Sequence, residues 1–409
     1  MMEANWEKMI AHTSRHHQLY YSQHRYDHDH FGRDLDDVSK SKGRLGRARH
    51  YASLIVATRH FRIFITILAL VLITQMLSSS NMLHLRHDDN SRVRKIPDPD
   101  AGVAHVIGIH FFDAEENKWR HIQNSEAEEL GRRRESPRSN FALITWNIDF
   151  SISQPQNRIA AAISYLRSLL ISGTDQPDSI SPAIIVLQEI TADMVKRLAN
   201  SEWVRKHFYM TDVRADEGIW LKSHYGTVTL VDRRIPIKNA IRLHYDSNMG
   251  RDCLFVDIEA VSAETSENVL VRVGNTHLES LVQPTPMRSE QLRLAANFIL
   301  NDASVYTGLV AGDMNPIEKF DATLPADVGL KDAYLENGGD DEDEKGHTWG
   351  YQTEDNKFPK RRFDKILYSP NGKIKMEQVE VIGVGEKTMA QPRVWVSDHF
   401  GVLANVRIR

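Results

Sequence analysis

The sequence is poor in the residues that build disulfide-bonded extracellular scaffolds. It has one cysteine, Cys253, in 409 residues, so it forms no internal disulfide framework and no thiolate zinc cluster. No Asn-x-Ser/Thr sequon occurs. Long apolar runs are scarce, which excludes a multi-spanning membrane protein. A surplus of positive charge is missing as well. The 51 Lys+Arg face 55 Asp+Glu, for a formal net charge of -4. That excludes a protein that coats DNA through a broad basic face and counterion release. What is present, 41% hydrophobic and 26% charged residues, is ordinary for a globular enzyme and excludes a wholly disordered or collagen-like chain.

The average hides a split. Residues 1–140 hold 21 Lys/Arg, 18 Asp/Glu and 13 of the 19 histidines, while residues 141–409 hold 30 Lys/Arg against 37 Asp/Glu. Residues 1–60 are polar and His-rich, as in His24-Arg25-Tyr26-Asp27-His28-Asp29-His30. They show no apolar period and read as a disordered, solvated tail rather than a metal-binding tract. Residues 63–77 are apolar apart from Thr66, Thr74 and Gln75. The run is shorter than the roughly 20 residues a bilayer core needs. No neighbouring segment offers to bury it, however, so it is expected to be a membrane anchor. The basic residues before it favour a cytoplasmic N-terminus, the missing sequons and the single cysteine speak against a C-terminal domain in a lumen, and both orientations stay open. Residues 78–140 read as a linker with an added hairpin over 102–123 and a basic, turn-rich hinge at 131–140.

From residue 141 the pattern changes. Strands are expected over 141–147, 183–187, 225–231, 253–261, 269–275, 306–311, 363–368, 376–384 and 400–408. Helices are expected over 157–170 and 287–300, the first with Ile159, Ile163, Leu166, Leu169 and Leu170 on one face. Many strands with several helices between them fit two packed sheets flanked by helices. The polar residues of interest follow strand ends: Asn147 and Asp149, Gln188-Glu189, His277 and Glu279, Asp313 and Asn315, Asp364, and Asp398-His399. Layered α/β folds collect ligands at such places, where loops carry polar groups on a rigid base. Each piece alone has a bland reading, since Asp-x-Asn after a strand is a common turn. Together they supply carboxylates, amides and two histidines but no thiol, a donor set that suits Mg²⁺ or Mn²⁺ better than zinc. Such a cation shares its remaining positions with water and phosphate, which points to hydrolysis of a phosphate ester.

In order along the chain stand Thr145-Trp146-Asn147-Ile148-Asp149, Leu187-Gln188-Glu189, Thr276-His277-Leu278-Glu279-Ser280, Gly312-Asp313-Met314-Asn315, Arg362-Phe363-Asp364-Lys365-Ile366 and Ser397-Asp398-His399-Phe400-Gly401. This series resembles the motifs of the endonuclease/exonuclease/phosphatase superfamily, the DNase I-like fold, over residues 141–409. Within it, Thr-Trp-Asn-Ile-Asp, His-Leu-Glu-Ser and His347-Thr348-Trp349 are most similar to the tyrosyl-DNA phosphodiesterase 2 subfamily, which removes tyrosine from 5′ DNA ends left by topoisomerase 2. The resemblance implies an α/β protein, a four-layer αββα sandwich with two mixed β-sheets packed face to face and helices outside. It implies a monomeric Mg²⁺-dependent (or Mn²⁺-dependent) phosphodiesterase of DNA repair whose partner is nucleic acid with a 5′ phosphotyrosyl end. The setting would be nuclear or cytoplasmic unless residues 63–77 tether the chain to a membrane.

Position by position, the resemblance makes Glu189 the main cation ligand, assisted by Asp149 and Asp398. Asp313 aligns or deprotonates the attacking water. His399 and His277 donate to the phosphoryl oxygens, and Asp364 fixes the tautomer of His399. Asn147 and Asn315 orient the phosphate. Trp349 and Phe363 flank a single-stranded end, since every base offers a π-face. Two departures stand out. Pro316-Ile317-Glu318 replaces the subfamily's Leu-Arg-Asp, whose arginine contacts DNA phosphate, and Phe150-Ser151 replaces Gly-Leu. Lys360, Arg361 and Arg362 are the expected source of positive charge from another loop. The alternatives left open are a membrane-anchored phosphatase or phospholipid phosphodiesterase of the same fold, and a non-enzymatic scaffold.

Overall fold

The computed structural model describes residues 100–122, 137–171, 182–214, 224–282, 286–352 and 359–409. All of these belong to one unit, Arg94–Arg409. The tail, the apolar run at 63–77, the linker up to residue 99 and residues 123–136 lie outside the described residues. Among the described residues no helix is long and apolar enough to cross a membrane.

In chain order the strands are β1 (Ala104–Ile107), β2 (His110–Asp113), β3 (Lys118–His121), β4 (Asn140–Asn147), β5 (Ala183–Thr191), β6 (Phe208–Met210), β7 (Tyr225–Asp232), β8 (Ile237–His244), β9 (Asp252–Val261), β10 (Asn268–His277), β11 (Thr307–Asp313), β12 (Lys331–Asp332), β13 (Asp364–Tyr368), β14 (Ile374–Ile382) and β15 (Gly401–Ile408). The longer helices are α1 (Pro155–Ile171), α2 (Ala192–Ala199), α3 (Glu202–His207) and α4 (Met287–Leu300). One sheet has the order β1-β8-β9-β10-β11-β13-β12 and the other β14-β15-β4-β5-β7-β6-β2-β3. The segment 102–123 contributes to both: β1 edges the first sheet beside β8, and the β2–β3 hairpin edges the second through β6.

Period-two alternation sorts the side chains into three apolar layers. Phe141, Leu143, Ile184 and Val186 of one sheet meet Val256, Val271, Val273, Leu309 and Ala311 of the other in the central core. The residues between them in sequence, Ile144, Trp146, Ile185 and Leu187, turn outward onto α1 and α2. Phe255 and Val310 turn outward onto Leu292, Ala295, Ala296 and Ile299 of α4. The central strands are therefore apolar on both faces, which is why they read as continuous hydrophobic runs. The result is a four-layer αββα sandwich.

The topology decides where the chemistry goes. Each sheet holds one parallel pair, β4/β5 and β10/β11, joined by a crossover helix, α1 and α4 respectively. The C-terminal ends of all four strands reach one rim. β13 and β15 run antiparallel to β11 and β4, so their starts, Asp364 and the residues before Gly401, lie at that same rim.

Candidate active site

Two matching turns form the centre. At the end of β4 the Asp149 N–H donates to Asn147 Oδ1 (2.9 Å), and at the end of β11 the Asn315 N–H donates to Asp313 Oδ1 (2.9 Å). Both are Asx turns, in which a short polar side chain bonds the backbone two residues on. Each ends on a left-handed residue, Asp149 at φ 55 and Asn315 at φ 45, and Glu189 at the end of β5 has φ 58. Left-handed backbone is uncommon for residues other than glycine and clusters at functional sites. Asn147 Nδ2 joins the two sheets, donating to Asp313 Oδ2 (3.0 Å) and Glu189 Oε1 (3.2 Å). Its amide is thus spent on carboxylates, and the side chain of Asn315 donates to the Leu278 carbonyl (3.0 Å).

Gly312 makes the approach possible. Its φ is +151, and a Cβ there would lie 1.8 Å from the Thr276 carbonyl oxygen. No other residue fits between β10 and Asp313.

Asp313 faces two histidines. His277 Nε2 lies 3.4 Å and His399 Nε2 3.8 Å from its Oδ2. The protonation of each histidine is set from behind. Arg251 lies 2.7 Å from His277 Nδ1. An arginine only donates, so Nδ1 accepts and the proton of the neutral ring sits on Nε2, toward Asp313. Burial, then the Arg251 and His399 charges, holds His277 well below its ordinary pKa, so it stays neutral. His399 Nδ1 instead meets Asp364 Oδ2 at 2.8 Å. Burial alone would lower this ring, but the carboxylates of Asp364, Asp398 and Asp313 outweigh it and hold His399 well above its ordinary pKa. One histidine is a neutral donor and the other a cationic one.

Three carboxylates gather beside them. Burial, then the like charges of Asp149 and Asp398, pushes Glu189 up to about 7. Burial and Asp398 raise Asp149 to about 6. The Phe150 N–H donates to Glu189 Oε2 (2.8 Å), Ser151 donates to Asp149 Oδ1, and Trp349 Nε1 donates to Asp398 Oδ2 (2.9 Å). Among the described residues no Lys or Arg forms an ion pair with any of the three. Concentrated oxygen ligands suit a hard divalent cation. Among the described residues the group of three whose ligand atoms all lie within 4.8 Å of one another is a different one, Asp313, Asp364 and His399. There His399 Nδ1 and Asp364 Oδ2 are spent on each other, which suits proton control better than cation binding.

Aromatic stacks stand on both sides. Trp349 lies on Phe363 (4.8 Å between centroids, 13° between planes), close to His399. Across the site Phe150 lies on Tyr225 (4.1 Å, 19°), with Arg251 5.3 Å from the Tyr225 ring. Phe150 is 41% exposed. The structure therefore gathers all the expected residues, Asn147, Asp149, Glu189, His277, Asp313, Asn315, Trp349, Phe363, Asp364, Asp398 and His399, at one rim.

Sequence reasoning missed the supports. Arg251 and Tyr225 carried no motif. Thr348 Oγ1 accepts from the N–H of both Phe363 and Asp364 (3.0 Å each) and so fixes the start of β13. Arg158 of α1, fully buried, donates to the carbonyls of Ile148, Asp149, Ile152, Ser153 and Val396 and holds the loop that carries Asp149. Glu279 is held by other partners than the site residues. It accepts from Ser247 Oγ (2.6 Å) and the Asn248 N–H (2.9 Å), anchoring the β8–β9 loop. A charged residue inside an apolar helical face was the one available signal for Arg158.

The model of the endonuclease/exonuclease/phosphatase family matches residues 144–399, more than half of the chain and every residue of the two Asx turns. The chain belongs to this family. Its members are hydrolases of phosphate esters. No curated protein matches the chain. Among solved structures, D. rerio TDP2 humanized by 14 mutations is 21% identical with a TM-score of 0.50, over 66% of this chain and 99% of its own. D. rerio TDP2 complexed with single-strand DNA product is 19% identical with a TM-score of 0.50, over 66% and 99%. These likenesses establish the shared fold.

Proposed function

We propose that this chain is a Mg²⁺-dependent phosphodiesterase that releases tyrosine from the 5′ end of single-stranded DNA. The observation that carries the reading is the setting of Asp313, which is buried, gripped on both oxygens by Asn315 and Asn147, and faced by the N–H groups of two histidines in different charge states. Asp313 accepts the proton of the attacking water as its oxygen bonds to phosphorus. His277 Nε2–H and His399 Nε2–H hold the phosphoryl oxygens as negative charge builds on them. Asp364 keeps the imidazolium of His399 oriented, the service an acidic partner gives a catalytic histidine. The P–O bond to the tyrosyl oxygen breaks, and a phenolate with a pKa near 10 leaves without a strong acid beside it.

Glu189, Asp149 and Asp398 hold the cation. When bound, it supplies positive charge to the phosphate and neutralises the three carboxylates. The rest is positioning, the main requirement of phosphoryl transfer. The two aromatic stacks support a substrate with flat groups on both sides of the phosphate. A base lies on Trp349, which is backed by Phe363, and the leaving ring lies against Phe150. The single-strand product held by D. rerio TDP2, a protein of the same fold, also supports a strand end as the substrate.

The test uses the full-length chain with Mg²⁺ on a 5′-phosphotyrosyl single-stranded oligonucleotide and, in parallel, a phosphoinositide and sphingomyelin. Tyrosine release that is lost in Asp313→Asn is expected. Turnover of a lipid with silence on the tyrosyl substrate would replace this reading with the phospholipid one. Silence of the native protein on all substrates would leave the scaffold reading.

A further inference from the structure

Most cations near the site are already committed. Arg362 reaches both oxygens of Asp332 (2.8 and 2.9 Å) and also Asp341, and Lys365 faces the same two residues. The acidic loop at 340–344 thus cancels one of the three basic residues of 360–362. Arg288 is buried on Glu318 (2.6 Å) and Asp321 (2.9 Å). This also draws the Glu318 carboxylate off the segment that follows Asn315.

Arg361 differs. Its NH1 donates to the carbonyls of Ile317 (2.9 Å) and Pro316 (3.2 Å), two and one residues past Asn315. No carboxylate pairs with it among the described residues, and it is only partly buried. A guanidinium carries five N–H donors, and the two carbonyls engage NH1 alone. Its backbone is paired with Trp349 in both directions, Trp349 N–H to Arg361 O (3.1 Å) and Arg361 N–H to Trp349 O (3.2 Å). Side chains of residues directly opposite in an antiparallel bridge project on one face, with Cβ atoms roughly 5 Å apart. An aromatic surface and an uncompensated planar cation therefore stand side by side next to the Asp313–Asn315 turn.

We propose that Arg361 binds the second phosphate of the strand, the one on the far side of the nucleotide whose base lies on Trp349. The substrate class is then a polynucleotide end and not a lone phosphate ester. This rests on the phosphodiesterase reading above. Arg361 is a specificity-determining residue in this scheme. Its brace on Pro316 and Ile317 aims the remaining donors, and Glu318 is kept from opposing them.

The test replaces the residue by Arg361→Gln, which can still donate to the loop carbonyls but carries no charge. Two oligonucleotides with a 5′ tyrosyl group are compared, one natural and one with an uncharged methylphosphonate between the first and second nucleotides. The p-nitrophenyl ester of thymidine 5′-phosphate serves as a substrate with no second phosphate. On the natural strand the variant is expected to lose roughly 10- to 100-fold in kcat/KM, mainly through KM, as for one charge-assisted hydrogen bond. The native protein loses a similar factor on the methylphosphonate strand, while the variant is indifferent to that change. An equal methylphosphonate cost in both proteins overturns the proposal, as does a loss on the p-nitrophenyl ester as large as on the natural strand. If the native protein cleaves none of these, the phosphodiesterase reading falls separately. Fluorescence anisotropy of the two strands then decides for Arg361, and identical discrimination by native protein and variant overturns it.

Discussion

The gathered carboxylates predict a specific coupling between pH, cation and stability. A group whose pKa is raised on folding stabilises the fold while protonated, and that contribution is lost as pH rises through the folded value. Glu189 moves from an ordinary 4.5 to about 7, through burial first and then the charges of Asp149 and Asp398. Without a cation the fold therefore loses stability between about pH 5 and 8. Over that window the loss from Glu189 is on the order of 2–3 kcal/mol, discounted because the side chain keeps 15% exposure and some hydration. For a domain of this size that corresponds to several degrees, at roughly 2–4 °C per kcal/mol. The assay is thermal unfolding in chelator and in saturating Mg²⁺, at pH 5 and pH 8, for the native chain and Glu189→Gln. Mg²⁺ is expected to raise Tm clearly at pH 8 and little at pH 5. In chelator at pH 8 the variant, which removes the repulsion, should melt above the native protein. A Glu189→Gln protein no more stable than the native one under those conditions would refute the reasoning, because the buried charge would then cost nothing.

Two further perturbations reach other parts of the site. Asp364→Asn removes the carboxylate on His399 Nδ1, so the His399 pKa falls and the alkaline limb of the pH–rate profile moves to lower pH. The rate at neutral pH should drop roughly 10²- to 10⁴-fold, and an unmoved limb would show that His399 does not act as the cationic donor. Gly312→Ala forces a methyl group against the Thr276 carbonyl, where 1.8 Å is available. It should cost about 3 kcal/mol or more in urea unfolding, and a cost under about 1 kcal/mol would mean that β10 and β11 separate freely at that point.

The fold was legible where burial on both faces or clear alternation left a strong signal. The helix expected at 287–300 is α4, and the strands flanking each motif fall within a few residues of their expected places. β8 was missed because Lys238, Asn239 and Arg242 interrupt its apolar pattern. Arg242 is in fact buried there, paired to Asp252 (2.6 Å) and Asp212 (3.3 Å). Buried ion pairs of this kind are invisible to hydrophobic periodicity, because the compensating charges lie on β9 and just past the end of β6. The same blindness hid Arg251, which is 26 residues from His277 in sequence and 2.7 Å from it in space. α2 and α3 are short and lean on caps, Thr191 to Met194 N and Ser201 to Val204 N, rather than on a long amphipathic face.

The turn reading and the chemical reading of Asn-x-Asp and Asp-x-Asn are the same fact. A two-residue Asx turn needs a short side chain with an accepting oxygen at its first position, and it tolerates Asp or Asn in left-handed backbone at its third. Asn147-Ile148-Asp149 and Asp313-Met314-Asn315 meet both requirements, and their middle residues, Ile148 and Met314, are buried in the two outer cores. Once the turn has formed, the second polar atom of the first residue is left over. Asn147 has a donor left and Asp313 an acceptor, and the two meet at 3.0 Å across the sheets. Exchanging their types would leave the geometry of each turn possible but move the carboxylate from the sheet that carries His277 to the other sheet. The local turn chemistry therefore fixes the positions, and the choice between Asn and Asp at each first position fixes which sheet carries the buried carboxylate.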